Sequence, residues 1–208
     1  MKKIALLLVL ITSVNHVFSQ QRALTEKGKE VILYDNGTWK YLDNEFEDNE
    51  IPTNSATFVK SEDASFLLKS SILNVGFWMN PKKWIFKKAI TNQDAEYEFQ
   101  LKEGDLYGMV ITEKVEIPLK TLKTIALDNA KTFSPDIEIV KEEYRKVNGI
   151  KVLLLQLNGT AQGIQFSYYG YYYSNSNGTV QFITYTSQNL MDDYKNVCEE
   201  MLNGMVEL

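Results

Sequence analysis

Six aromatic residues crowd into eight positions at Phe166-Ser167-Tyr168-Tyr169-Gly170-Tyr171-Tyr172-Tyr173. On a strand, alternate side chains face opposite sides. Phe166, Tyr168 and Tyr172 therefore share one face, and Tyr169, Tyr171 and Tyr173 share the other. A tyrosine offers an apolar ring and a polar tip, so an exposed row of them stacks on sugars, peptides or another protein. Tyr169, Tyr171 and Tyr173 are accordingly candidate binding residues, joined by Trp84 and Trp39, which stand near turns. Trp78 falls within a strand pattern and reads as core. The competing reading is a sheet covered on both faces, in which these rings are packing. Gly170 removes one side chain from its face and marks a bulge or a close approach.

Other chemistry is restricted by what the chain lacks. It contains one histidine, His16, and one cysteine, Cys198. Ser-His-Asp and Cys-His catalysis need an imidazole to take the nucleophile's proton near neutral pH. A zinc site draws on several His and Cys ligands. Neither can be assembled, and no metal or other cofactor is expected. Cys198 lies on the apolar face of a helical pattern and reads as a buried small hydrophobe. Hydrolysis by two carboxylates needs them in one cleft, whereas Glu96, Glu98, Glu113, Glu116, Glu142 and Glu143 occupy strand or turn positions typical of a solvated face. No glycine-rich loop runs from a strand into a helix to hold phosphates. The net charge of −5 removes the cationic field that binds nucleic acid or anionic lipid. The chain is read as not an enzyme.

Met1-Lys2-Lys3 followed by the apolar run Ile4 to Ile11 has the form of a secretory signal, too short for a permanent membrane span. Val17 and Ser19 suit signal peptidase, which places cleavage after Ser19 and the mature start at Gln20. The mature chain then carries no histidine. No cysteine follows the apolar run, so neither a lipid anchor nor an integral membrane anchor is expected. The destination is periplasmic or secreted.

Three regions follow the signal at 1–19. Residues 20–42 hold Val31-Ile32-Leu33-Tyr34 and Thr38-Trp39-Lys40-Tyr41 around Asn36-Gly37, a hairpin signal. Residues 43–56 gather Asp43, Glu45, Glu47, Asp48 and Glu50 before Pro52 and read as an acidic linker. Residues 57–208 form one domain of strands and two helices. Strands are predicted at 66–70, 74–79, 96–101, 106–115, 137–147, 150–157, 164–174 and 179–186. Asn148-Gly149 and Asn177-Gly178 mark hairpin turns, so the last four strands read as a meander. The first helix opens at Pro118 and stops before Pro135. The second runs from about Asn189 to Val206, with Asp192 and Asp193 in its positive first turn.

With these elements placed, the region from Phe58 to Leu208 resembles the PsbP-like superfamily, which includes DcrB-type envelope proteins and the Ran-binding Mog proteins. The resemblance rests on Val75-Gly76-Phe77-Trp78-Met79 running into Asn80-Pro81-Lys82-Lys83-Trp84, on Ile117-Pro118-Leu119 at a helix start, and on Val147-Asn148-Gly149-Ile150 before a long strand. It implies an α+β fold, an α/β/α sandwich with a central antiparallel sheet flanked by helices. It also implies a non-catalytic accessory or assembly role. The chain departs from DcrB-type members in lacking a lipidation cysteine. Leu24 to Leu42 resembles a short segment that follows the signal peptide in many Gram-negative envelope proteins.

The expectation is therefore a non-enzymatic accessory protein that binds another envelope protein or a small ligand through a sheet face or a cleft beside the helices. A small-ligand carrier with an aromatic pocket is the first rival, and a histidine-free hydrolase the second.

Overall fold

The structure, a computed structural model, describes residues 21–25, 30–35, 37–41, 51–90 and 92–208. The expected signal at 1–19 and most of the expected linker, 43–50, lie outside these. The strands are β1 (Gln21–Leu24), β2 (Glu30–Leu33), β3 (Trp39–Tyr41), β4 (Thr53–Phe58), β5 (Phe66–Lys69), β6 (Val75–Met79), β7 (Trp84–Lys88), β8 (Ala95–Leu101) and β9 (Tyr107–Glu113). Helix α1 (Leu119–Lys131) precedes β10 (Glu138–Val147), β11 (Ile150–Ala161), β12 (Ile164–Asn175) and β13 (Gly178–Ser187), and α2 (Met191–Leu202) leads to β14 (Met205–Glu207).

Eight strands form the main sheet in the order β4-β10-β11-β12-β13-β9-β8-β7. Its meander from β10 to β13 is built by tight turns. Asn148 and Gly149 both take positive φ, 47° and 92°, as the two-residue loop between Val147 and Ile150 requires. Gly170 is a close approach and not a bulge, because the β12–β13 register runs unbroken past it and a Cβ there would sit 3.0 Å from the Phe182 carbonyl oxygen.

Side-chain alternation divides the core in two. Val152, Leu154, Tyr169, Tyr171, Val180 and Phe182 pack beneath Cys198, Met201 and Leu202 of α2, and against Phe77 and Met79 of a small sheet ordered β14-β6-β5. Leu153, Leu155, Leu157, Tyr172 and Ile183 pack on the other face beneath Leu122, Ala126 and Ala130 of α1. Each helix is thus amphipathic toward its own side of one sheet. The N-terminal strands form a separate three-stranded sheet, β1-β2-β3, whose Arg22 pairs with Asp128 on α1 and whose Leu24 rests on the α1-side core.

Several elements differ from the sequence reading. Thr53–Phe58 is a strand, parallel to β10, in a stretch whose first residues read as the end of the linker, and Ile51 is buried. The second helix ends at Leu202, not Val206. Gly204 lies against β6, where the Trp78 amide donates to the Gly204 carbonyl at 2.8 Å, and a Cβ at Gly204 would collide with the Trp78 backbone. The chain therefore turns there into β14, which pairs with β6.

Candidate functional site

The α2 side of β12 is a closed polar seam. Tyr169, Tyr171 and Tyr173 project from successive positions on one face, and each hydroxyl reaches a group on the C-terminal segment. The Tyr169 hydroxyl donates to Glu199 Oε1 at 2.6 Å, the Tyr171 hydroxyl to Asn203 Oδ1 at 2.8 Å, and the Tyr173 hydroxyl to Glu207. Buried Arg145 on β10 binds Glu143 at 2.6 Å, Glu199 at 3.0 Å and the Tyr171 oxygen at 3.0 Å, with its guanidinium 4.3 Å above the Phe58 ring. Burial alone would raise the Glu199 carboxyl, but the Tyr169 bond and the Arg145 charge outweigh it and hold the group below its usual range. The same balance, with Arg145 and Asn54 as donors, lowers Glu143. Burial pushes the Tyr171 phenol up to about 12, so it stays a neutral donor. Every functional group here is spoken for by another part of the chain.

The opposite side of the same strand is open. A cleft of about 510 Å³ lies between the C-terminal half of α1 and strands β9, β12 and β13. Its apolar floor is Leu157, Ile183, Met109 and Tyr172, its helix wall Ala126 and Ala130, and its polar lining includes Asn92, Asp94, Glu113, Asn129 and Gln181. Rings continue outward from it. Phe133 and Tyr168 have centroids 6.3 Å apart, Phe166 and Tyr168 4.9 Å, Tyr168 and Tyr185 5.7 Å, and Tyr185 and Tyr107 5.7 Å. These spacings are those of edge and offset stacking. Burial, with Tyr185 adding to it, raises the Tyr168 phenol to about 12, so its hydroxyl is neutral as well. Unlike the tyrosines under α2, neither Tyr168 nor Tyr172 makes a hydroxyl hydrogen bond among the described residues. The cleft thus combines stacking surfaces, free phenolic hydroxyls and amides, the means to hold a ring-bearing polar molecule or side chain.

The structure brings Tyr169, Tyr171 and Tyr173 together but buries all three, so they present no open binding face. Trp84 is also buried, on the edge strand four strands from β12, about 19 Å across the sheet. Trp39 is 54% exposed, on the N-terminal sheet. The aromatic cleft is instead lined by the other alternate set, Tyr168 and Tyr172, extended by Phe133 from the end of α1. The glutamates read as a solvated face are partly structural. Glu96 accepts from Ser70 at 2.7 Å, from Thr112 at 2.8 Å and from Ser71, fastening the β5–β6 turn to the main sheet, and Glu142 pairs with Lys123 at 2.9 Å. Cys198 is fully buried, and burial raises its thiol to about 11, which makes it an unreactive core group. Among the described residues no cluster of three His, Cys, Asp or Glu side chains is placed to hold a metal ion. No helix among them is long and apolar enough to cross a membrane.

A mainly antiparallel sheet with α1 on one face and α2 on the other is an α+β arrangement, and the fold is PsbP-like. Cyanobacterial PsbP (CyanoP) from Synechocystis sp. PCC 6803 superposes with a TM-score of 0.52 at 14% identity, over 69% of this chain and 92% of that one. PA94 of Pseudomonas aeruginosa, described as a putative regulator, gives 0.44 at 10% identity over 69% and 96%. LpqN of Mycobacterium tuberculosis, described as involved in cell envelope biogenesis, gives 0.38 at 9% identity over 77% and 92%. No family model and no curated protein matches the sequence.

Proposed function

We propose that the chain is a non-enzymatic accessory protein of the cell envelope, periplasmic or secreted, that binds its partner in the cleft beside α1. The observation that carries this reading is the asymmetry of β12. The hydroxyls of Tyr169, Tyr171 and Tyr173 are bonded within the chain, while on the cleft side half-buried Tyr168, and Tyr172 buried in the floor, have hydroxyls that no described group bonds. The likeness to PsbP supports the fold, and the N-terminal sequence supports export. A small-ligand carrier is the second reading, favoured by a cleft volume within the range of about 300–1,000 Å³ common for small-molecule sites.

Titration of the 15N-labelled protein with oligosaccharides and with aromatic-rich peptides tests both readings. Binding is expected to shift the amides of Asn129, Phe133 and Tyr168, and Tyr168→Ala is expected to weaken it by about 1–3 kcal/mol, as for an aromatic anchor. Shifts confined to other surfaces would overturn the assignment. Turnover of a bound compound, abolished by Asp94→Asn or Glu113→Gln, would replace the accessory role with hydrolysis. Mass spectrometry of exported material should find Gln20 first.

A further inference from the structure

The main sheet ends in β7, and the way it ends differs from its other margin. β4, at the far side, is polar along most of its length: Thr53, Asn54, Ser55, Ala56, Thr57, Phe58. β7 reads Trp84-Ile85-Phe86-Lys87-Lys88 and, among the described residues, pairs only with β8. Its hydrogen-bonding parity follows from two bonds at its ends. The Lys83 carbonyl accepts from the Lys102 amide at 2.8 Å, and the Ala89 amide donates to the Glu96 carbonyl at 3.1 Å. Bonded pairs recur every second residue in an antiparallel ladder, so Ile85 and Lys87 bond to β8 while Phe86 and Lys88 direct their amides and carbonyls away from the sheet. Among the described residues no backbone group meets them. This is a strand edge with its bonding groups free.

Beside that edge lies a groove of about 280 Å³. Buried Met79 and Trp84 form its floor, and Phe66, Phe86 and Ile85 form its rim, with Ile85 52% exposed. Phe66 of β5 and Phe86 stack with centroids 5.3 Å apart, which fixes the rim between the two sheets. The surroundings are basic in an otherwise acidic chain. Lys102 lines the groove, Lys82 and Lys83 precede β7, and Lys87 and Lys88 end it. Lys83 pairs with Glu200 at 2.6 Å, Lys87 with Glu98 at 3.0 Å, and Lys102 donates to the Pro81 carbonyl at 2.9 Å. Lys82 and Lys88 have no ion pair among the described residues.

We propose that the free edge of β7 docks an extended acidic segment of a partner protein, which adds a ninth strand to the main sheet. The segment exchanges backbone hydrogen bonds with Phe86 and Lys88, sets apolar side chains from alternate positions into the Phe66–Phe86 groove, and places carboxylates against Lys82 and Lys88. The lysines select against a second copy, which would bring the same positive edge to itself, and in favour of an acidic strand.

The test uses a labelled ten-residue peptide alternating glutamate with valine and phenylalanine, and a control with lysine for glutamate, read by fluorescence anisotropy. The acidic peptide is expected to bind, to weaken with added salt, and to protect the Phe86 and Lys88 amides from hydrogen exchange. Phe86→Pro removes an outward amide without touching a β7–β8 bond and also removes the ring packed on Phe66 and Tyr97, so Phe86→Ala, which loses the ring alone, is its reference. Phe86→Pro is expected to bind roughly tenfold more weakly than Phe86→Ala at a similar melting temperature. Lys88→Glu provides a second variant that keeps the backbone intact and is expected to weaken the acidic peptide while favouring the basic one. Equal binding of the two peptides, no binding of either, or equal binding by Phe86→Pro and Phe86→Ala overturns the proposal. A dimer in sedimentation that Phe86→Pro dissolves also overturns it, in favour of a second copy of this chain.

Discussion

The two faces of β12 carry nearly the same chemistry and put it to opposite use. Toward α2, Tyr169, Tyr171 and Tyr173 spend their hydroxyls on Glu199, Asn203 and Glu207, so the strand holds the C-terminal segment in one register. Toward α1, Tyr168 and Tyr172 line a cleft and bond to nothing described. A tyrosine is therefore not a binding residue by type. Whether it becomes a structural fastening or a contact surface depends on whether the covering helix brings an acceptor. α2 supplies Glu199 and the chain that follows it supplies Asn203 and, on β14, Glu207, whereas α1 presents Ala126 and Ala130 to the sheet.

The largest expected effect lies where the α2 face concentrates its charges. Arg145→Ala is expected to cost about 3–5 kcal/mol in urea unfolding, because it strips a buried partner from Glu143 and Glu199 and empties the space over Phe58. Tyr171→Ala is expected to cost a similar 3–5 kcal/mol, as for a fully buried aromatic, with any binding loss secondary to it. A stable Tyr171→Ala protein would mean that α2 is not held as described. Tyr169→Phe isolates the hydroxyl and keeps the ring. It is expected to cost about 1.5–3 kcal/mol, the range for hydrogen bonds to charged groups, because Glu199 loses its shortest donor.

Acid should loosen the same face, together with the Glu96 and Asp136 contacts, whose carboxyls their hydrogen bonds also lower. Glu199 and Glu143 titrate below the ordinary 4.5 in the folded chain because their donors outweigh burial. A carboxyl lowered on folding binds protons more weakly in the native than in the unfolded state. Its stabilisation is therefore complete above about pH 4.5 and lost as pH falls through the lowered folded values. Urea midpoints measured between about pH 5 and about pH 3 should fall, and Glu199→Gln should flatten that slope while lowering the midpoint at neutral pH. An unchanged slope in Glu199→Gln would show that the seam does not carry the acid response.

Much of this architecture was legible from the residues. Eight strands and both helices stand close to where alternation, 3.6-residue periodicity and Asn-Gly turns put them. The misses share a cause, which is that long-range contacts decided them. Thr53–Phe58 is polar enough to read as a linker and becomes a strand only through its parallel pairing with β10. Met205 continues the helical spacing of Met201, yet the close contact of Gly204 with the Trp78 backbone ends the helix. β7 gives no strand signal, because a tryptophan that is buried followed by residues that are exposed has no clear alternation. At the site, alternation correctly grouped Tyr169 with Tyr171 and Tyr173, but it does not say which group a helix will cover. One signal was present. Acceptors at 199 and 203 rise about 6 Å along a helix, close to the roughly 6.7 Å between alternate residues of a strand. That match favours Tyr169 and Tyr171 as the fastened pair.

The smallest expected effect tests the comparison most directly. Tyr172 is as deeply buried as its neighbours Tyr171 and Tyr173, and it lies on the same strand, so ring burial and strand position are held nearly constant. The variable is the partner of the hydroxyl. Tyr172→Phe removes an oxygen that no described group bonds, and is expected to change stability by less than about 0.5 kcal/mol, as for substitutions that break no contact. Its effect on ligand titration should exceed its effect on urea unfolding, because the lost hydroxyl belongs to the cleft. If Tyr172→Phe destabilises as much as Tyr169→Phe, the α1 face is fastened like the α2 face. The cleft then keeps the Tyr168 hydroxyl for a partner but not that of Tyr172.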